Sequence, residues 1–190
     1  MKQTPSQTVG PYFAYGLVPS QYGYELNSLW GSDIAEPGCA GVPVTLMGRV
    51  FDGQGEAVFD ALVEIQQADA QGHHLHSLEQ ARTTGFRGFG RMGTGSREDR
   101  CFVFRTIKPG ASADGHAPHL DVILTLRGLL NHLYTRIYFE EDSAQHARDP
   151  VLAQVPPERR ATLMARPDAT GVYRFDIHLQ GPEETVFFDV

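Results

Sequence analysis

Cysteine is scarce: Cys39 and Cys101 are the only two in 190 residues, too few for a disulfide-stapled secreted scaffold. Neither has a cysteine neighbour at metal-ligand spacing, so both read as reduced structural thiols. Runs of lysine or arginine are missing and the net charge is −7, which excludes the basic track that a nucleic-acid backbone needs. The longest apolar stretches, 122–126 and 133–139, fall far short of the roughly 20 residues of a membrane span. Residues 1–11 lack the basic flank and apolar centre of a signal peptide, which points to the cytoplasm. A Gly-x-Ser-x-Gly nucleophile elbow is absent, and the glycines of 85–90 lack Rossmann spacing. With no internal repeat or low-complexity tract either, the partner to expect is a small molecule or another protein, with no nucleic acid and no membrane.

Twenty glycines and twelve prolines punctuate short alternating or β-branched runs, a rhythm that suits a sandwich or barrel better than a helical bundle. The predicted class is mostly β: a sandwich core with long loops, an extended N-terminal arm and a few short helices. Strands are expected at 42–51, 61–66, 101–107, 119–126, 133–139, 173–179 and 185–189; residues 173–179 alternate apolar and polar and give the clearest signal. Asp149 followed by Pro150 reads as a helix start, and 157–165 as about two helical turns. Residues 72–100 and the stretch through 36 read as long loops. The expected organisation is one domain over 1–190, with arm and loops at 1–36, the sandwich at 42–190 and a helical excursion near 149–165.

Five of the eight histidines fall between 73 and 119, with Asp121 close behind. On a strand, His74 with His76, or His119 with Asp121, would project to one face and could chelate a metal. Polar-loop histidines are more often solvated. Two further features carry chemistry. Thr8, Gly10, Pro11 and Tyr12 end a stiff arm with an aromatic, suited to lying across a neighbour's surface or remaining a free tail. Arg127 closes an apolar strand before Gly128, where a guanidinium could hold a carboxylate by two hydrogen bonds or make a routine surface ion pair.

Several segments run in one order along essentially the whole chain: Thr4-Pro5-Ser6-Gln7-Thr8-Val9-Gly10-Pro11-Tyr12, Leu46-Met47-Gly48-Arg49-Val50-Phe51-Asp52-Gly53, Glu64-Ile65-Gln66-Gln67-Ala68-Asp69, Thr106-Ile107-Lys108-Pro109-Gly110, Ala117-Pro118-His119, Thr135-Arg136-Ile137-Tyr138-Phe139 and Tyr173-Arg174-Phe175-Asp176-Ile177. The ending Gln180-Gly181-Pro182-Glu183-Glu184-Thr185 completes the set. Together they resemble the intradiol ring-cleaving dioxygenases, more narrowly the alpha chains of members built from alpha-beta protomers.

The resemblance implies a β-sandwich and a non-haem Fe(III) held by two tyrosines and two histidines. Carried over, the tyrosine positions fall on or beside His74 and near Ser112, and the histidine pair becomes His119 and Asp121. One ligand type of four survives, and the arginine expected before the histidine motif is replaced by His116 or Ala117. The resemblance therefore implies that Fe(III) belongs to a homologous beta subunit, that the isolated chain is inactive, and that the assembly cleaves protocatechuate with O2 between its hydroxyls to 3-carboxy-cis,cis-muconate. Thr8, Gly10, Pro11, Tyr12 and Arg127 would then stand near the beta subunit's active site, with Arg127 facing the substrate carboxylate. Two other readings stay open: a stand-alone metal-binding chain using His74, His76, His119 and Asp121, and a purely structural assembly subunit.

Overall fold

The computed structural model describes residues 2–10 and 12–189. Its strands are β1 (Pro43–Gly48), β2 (Val50–Phe51), β3 (Leu62–Gln67), β4 (Phe89–Gly93), β5 (Phe102–Ile107), β6 (His119–Thr125), β7 (Leu133–Phe139), β8 (Met164–Ala169), β9 (Val172–Arg174) and β10 (Ile177–His178). Eight hydrogen-bond in the order β4-β3-β6-β7-β8-β9-β1-β5, and β2 pairs with β10. The two halves of that order share one core: Val63, Ile65, Leu120, Val122, Leu124 and Ile137 from one meet Leu46, Phe102, Phe104 and Ala165 from the other.

In β6, Leu120, Val122 and Leu124 are buried while His119, Asp121 and Ile123 lie on the opposite face, half-buried. Burying each of those apolar side chains is worth about 1.5–3 kcal/mol. A one-residue slip would expose all three, so the core fixes where His119 and Asp121 point. The antiparallel register then sets Tyr138 opposite His119 and Arg136 opposite Asp121.

The stretch through residue 36 is more than an arm. Arg91 N–H donates to Gly31 O and Arg87 N–H to Ile34 O on the β4 side, while Arg105 N–H donates to Ser32 O and Ile34 N–H to Arg105 O on β5. Residues 31–36 therefore bridge the two end strands of the sheet and nearly close it into a barrel. Ile34 is fully buried in that gap, and an added Cβ on Gly90 would stand 2.7 Å from it.

Other expectations need correction. Within the expected loop 72–100 lie the helix α1 (Leu78–Thr84) and strand β4. Ser77 Oγ accepts from Gln80 N–H and Gly85 closes the helix at φ 69°, but no residue of the helix is buried, so apolar periodicity had nothing to report. The expected strand 173–179 is interrupted at Phe175 and Asp176, where the Asp176 carboxylate accepts from Arg49 N–H at 2.9 Å in place of a backbone carbonyl. Phe175 O there approaches Gly48 so closely that a Cβ would sit 1.7 Å away. Residues 185–189 make only an isolated bridge, Phe188 to Tyr134. The expected helix 157–165 is a 3-10 helix, Pro157–Leu163, that runs into β8, a strand hidden by Pro167 and by its exposed second half.

Candidate functional site

The chain elements that carry the four ligand-like positions lie side by side. Asp69 O accepts from both Gly72 N–H and Gly110 N–H, which ties the His74 loop to the loop before Ser112. Gly72 holds φ +85° there, and any Cβ would stand 2.0 Å from Ala111 O. Ser112 N–H donates to His116 O and brings the turn to the start of β6. The Ser112 hydroxyl is buried and, among the described residues, has no hydrogen-bond partner.

What occupies the face of His119 and Asp121 is a guanidinium. Arg136 Nε donates to Asp121 Oδ1 at 2.9 Å, and its Nη1 reaches His116 Nδ1 at 3.2 Å. Since arginine only donates, His116 Nδ1 accepts there, and the same nitrogen lies 3.6 Å from Asp149 Oδ2, too far for a hydrogen bond. His119 Nδ1 lies 2.7 Å from Ala117 O, so that nitrogen carries the proton. Burial pushes the His119 imidazole below its ordinary pKa and favours the neutral ring. Burial, with Asp121 beside it, pushes the Tyr134 phenol up to about 12.

Behind this face Asp149 anchors the network. It is fully buried; Oδ2 accepts from Ala117 N–H at 2.8 Å, and Oδ1 from Val151 N–H at 2.9 Å, Leu152 N–H at 2.8 Å and Tyr138 OH at 3.2 Å. Burial alone would raise its pKa; the N–H groups of Leu152, Ala117 and Val151 outweigh it and hold the carboxyl below the usual range. Burial also drives the Tyr138 phenol far up, so it stays a donor. The capping role read for Asp149 from its sequence is present, with a catch on the β6 start added to it.

The other end of β6 is open. Thr8, Gly10 and Arg127 come together: Gly128 N–H donates to Thr8 Oγ1 at 2.7 Å, and Gly10 and Arg127 line one cleft of about 280 Å³ with Phe13, Tyr22 and Phe59. Arg127 Nε donates to Asp60, and its guanidinium lies 5.6 Å from the Phe59 ring centre. Tyr12 is 75% exposed and packs edge-on against Tyr15, whose ring lies 4.2 Å from that of Tyr22. Pro11 lies outside the described residues. The chain turns at this point, with Phe13 N–H donating to Gly10 O, so the extended arm ends before Tyr12.

His74 and His76 do not join His119 and Asp121: among the described residues no group of three or more His, Cys, Asp or Glu side chains is placed to hold a metal ion. Arg136, Tyr138, Asp149 and Asp60 were not singled out as site residues from sequence. The signal for the two pairs was the antiparallel register, which needs the partner strand to be known. No helix among the described residues is long and apolar enough to cross a membrane.

The sequence model of the family described as Dioxygenase matches residues 9–181, and the chain belongs to that family, the intradiol dioxygenases. Its relatives are subunits of catechol-cleaving oxidoreductases. The chain is 53% identical over 194 residues to the protocatechuate 3,4-dioxygenase alpha chain of Burkholderia cepacia, covering all of this chain and 98% of that one. It is also 34% identical over 162 residues to the beta chain from the same organism, covering 76% of this chain and 67% of that one. Among solved structures, the dioxygenase domain of a carbohydrate-binding fusion protein from Streptomyces sp. SirexAA-E superposes at TM-score 0.62 and 26% identity, over 94% of this chain and 99% of that one.

Enzymes of this family use non-haem iron, and the residues of this chain do not fit it. Asp121 is bonded to a fixed guanidinium, a positive charge where a cation would have to sit, and Ser112 offers a neutral hydroxyl.

Proposed function

We propose that this chain is the iron-free, alpha-type subunit of an alpha-beta dioxygenase that cleaves protocatechuate with O2 to 3-carboxy-cis,cis-muconate. It is one domain over 1–190, acts in the cytoplasm, and leaves Fe(III) to a homologous beta subunit. Its own contribution is to the partner's substrate pocket: Thr8, Gly10 and Tyr12 of the arm border it, and Arg127 meets the substrate carboxylate.

The observation that carries this reading is the contrast along β6. At the His119 end, the ligand-like carboxylate of Asp121 is already taken by Arg136; at the Arg127 end, an arginine, a docked arm and an aromatic floor share an open cleft. A half-exposed arginine beside aromatics suits a planar aromatic acid, since the guanidinium matches a carboxylate and the rings match the substrate's flat faces. Full-length identity to an alpha chain, with a more distant likeness to a beta chain, supports the assignment of roles.

The test is purification with and without a partner. Alone, the chain is expected to be colourless, to hold no iron by elemental analysis, and to take up no oxygen with protocatechuate. Co-expressed with an iron-bearing beta chain, it should support oxygen uptake and muconate formation. Stoichiometric iron in the lone chain would sink the proposal.

A further inference from the structure

Arg127 is not free at the cleft: it is seated, and the seat is built by the fold. Leu62 of β3 pairs with Thr125 of β6, and carrying that register two residues further sets Asp60 opposite Arg127. Asp60 is itself held in place. The next residue, Ala61, is buried, its N–H donates to Thr94 Oγ1 at 3.1 Å, and its carbonyl accepts from Thr94 N–H at 2.9 Å. Phe59 O lies 2.6 Å from where a Cβ on the adjacent Gly95 would stand, so the 94–95 segment packs closely along the strand entry. The Asp60 side chain is 17% exposed and that of Arg127 49%, which leaves the acid inside and the guanidinium at the surface.

We propose that Asp60 is a positioning residue for substrate recognition: by engaging Arg127 through Nε, it fixes the guanidinium over Phe59 and leaves both Nη groups for an incoming carboxylate. The inference deepens the proposed function and rests on its reading of Arg127. An arginine side chain loses much rotamer freedom when a ligand immobilises it, and a pre-formed ion pair removes that cost before the substrate arrives. A guanidinium can hold one carboxylate by Nε and another by its far edge, so Asp60 and substrate need not compete for the same donors. Tyr22, which faces both groups, stays protonated because burial and then the Asp60 charge raise its phenol, so it adds no competing anion.

The test is a double-mutant cycle in the co-expressed alpha-beta enzyme, with oxygen uptake measured on protocatechuate and on catechol, which lacks the carboxylate. Assembly and iron content per protomer are measured for each variant. Arg127→Ala is expected to raise KM for protocatechuate about ten- to a hundredfold, and Asp60→Ala about tenfold, with kcat little changed. Asp60→Asn, which keeps an acceptor, should lose about threefold. On catechol the Asp60 variants should match wild type, and the double variant should be no worse than Arg127→Ala alone. If the two losses multiply, if Asp60→Ala lowers KM, or if catechol suffers equally, the positioning role is overturned. Should Asp60→Ala fail to assemble, Asp60→Asn decides, and a wild-type KM there overturns the inference. Unchanged kinetics in Arg127→Ala would remove the substrate-binding role of Arg127 from the proposed function, and this inference with it; an impaired Arg127→Ala beside a wild-type Asp60→Ala would remove only the role of Asp60.

Discussion

The two ends of β6 carry the same pair of residue types in opposite states. At the start, Asp121 and Arg136 are 18% and 16% exposed and their bond is one member of a buried network. Beyond the end, Asp60 is similarly covered but Arg127 is 49% exposed beside a cleft. An arginine whose donors are spent inside the protein stabilises a fold; one with donors left over at the surface is available to a ligand. On the function proposed above, one strand holds a ligand-like carboxylate closed off by an internal ion pair at one end and offers a group to a partner's site at the other.

The buried end should break first and hardest. Replacing Asp149 by alanine strands the N–H groups of Ala117, Val151 and Leu152 and the Tyr138 hydroxyl, and is expected to cost about 3–5 kcal/mol in denaturant unfolding. Its sign with pH is fixed by the depressed carboxyl pKa. The contribution is fully present above the unfolded value near 3.8 and is lost as pH falls through the lower folded value. The groups facing it are His116 and Tyr138. The stability gap between wild type and Asp149→Asn should therefore narrow below about pH 4; a constant gap down to pH 3 would refute the assignment.

A pair of arginine variants sharpens the contrast. Arg136→Ala leaves Asp121 half-buried without its partner and is expected to lower unfolding stability by about 2–3 kcal/mol. Arg127→Ala also leaves a covered carboxylate, Asp60, without its arginine, but at an edge where the guanidinium is half-exposed, so the thermal midpoint of the assembled enzyme should fall less than in Arg136→Ala while KM rises. Equal midpoint losses in the two would mean that the ends do not differ in kind. The smallest effect is expected at Thr8. Thr8→Val removes the acceptor for Gly128 N–H, and should raise KM about two- to fivefold while speeding hydrogen exchange at the Gly128 amide.

Much of this molecule was legible in its sequence because the signals were local. Alternation in 119–126 and 133–139 reported β6 and β7, and the capping residue and proline at 149–150 reported a real turn. What failed was non-local. The helix α1 buries no residue, so only its cap, Ser77 with Gln80 and Gly85, could have announced it. Residues 31–36 lack strand-like alternation because only Ile34 enters the core; the neighbours that hold this segment, at β4 and β5, are more than fifty residues away in sequence. The site divided in the same way. Residue type and spacing picked out His119, Asp121, Thr8 and Arg127 and the resemblance sharpened their roles, but Arg136 and Asp60 acquire meaning only through the cross-strand register that sets each opposite its partner.

That bridging segment has a kinetic consequence. Because Gly31 and Ile34 are hydrogen-bonded between β4 and β5, the residues before them are a tethered wall of their own protein's cleft. Closure of Thr8 onto Gly128 is then an intramolecular encounter, for which tethering through the same chain gives an effective concentration of roughly millimolar order. A partner chain meets an arm that is already folded back and waiting, and the time spent searching for that arrangement falls before association begins.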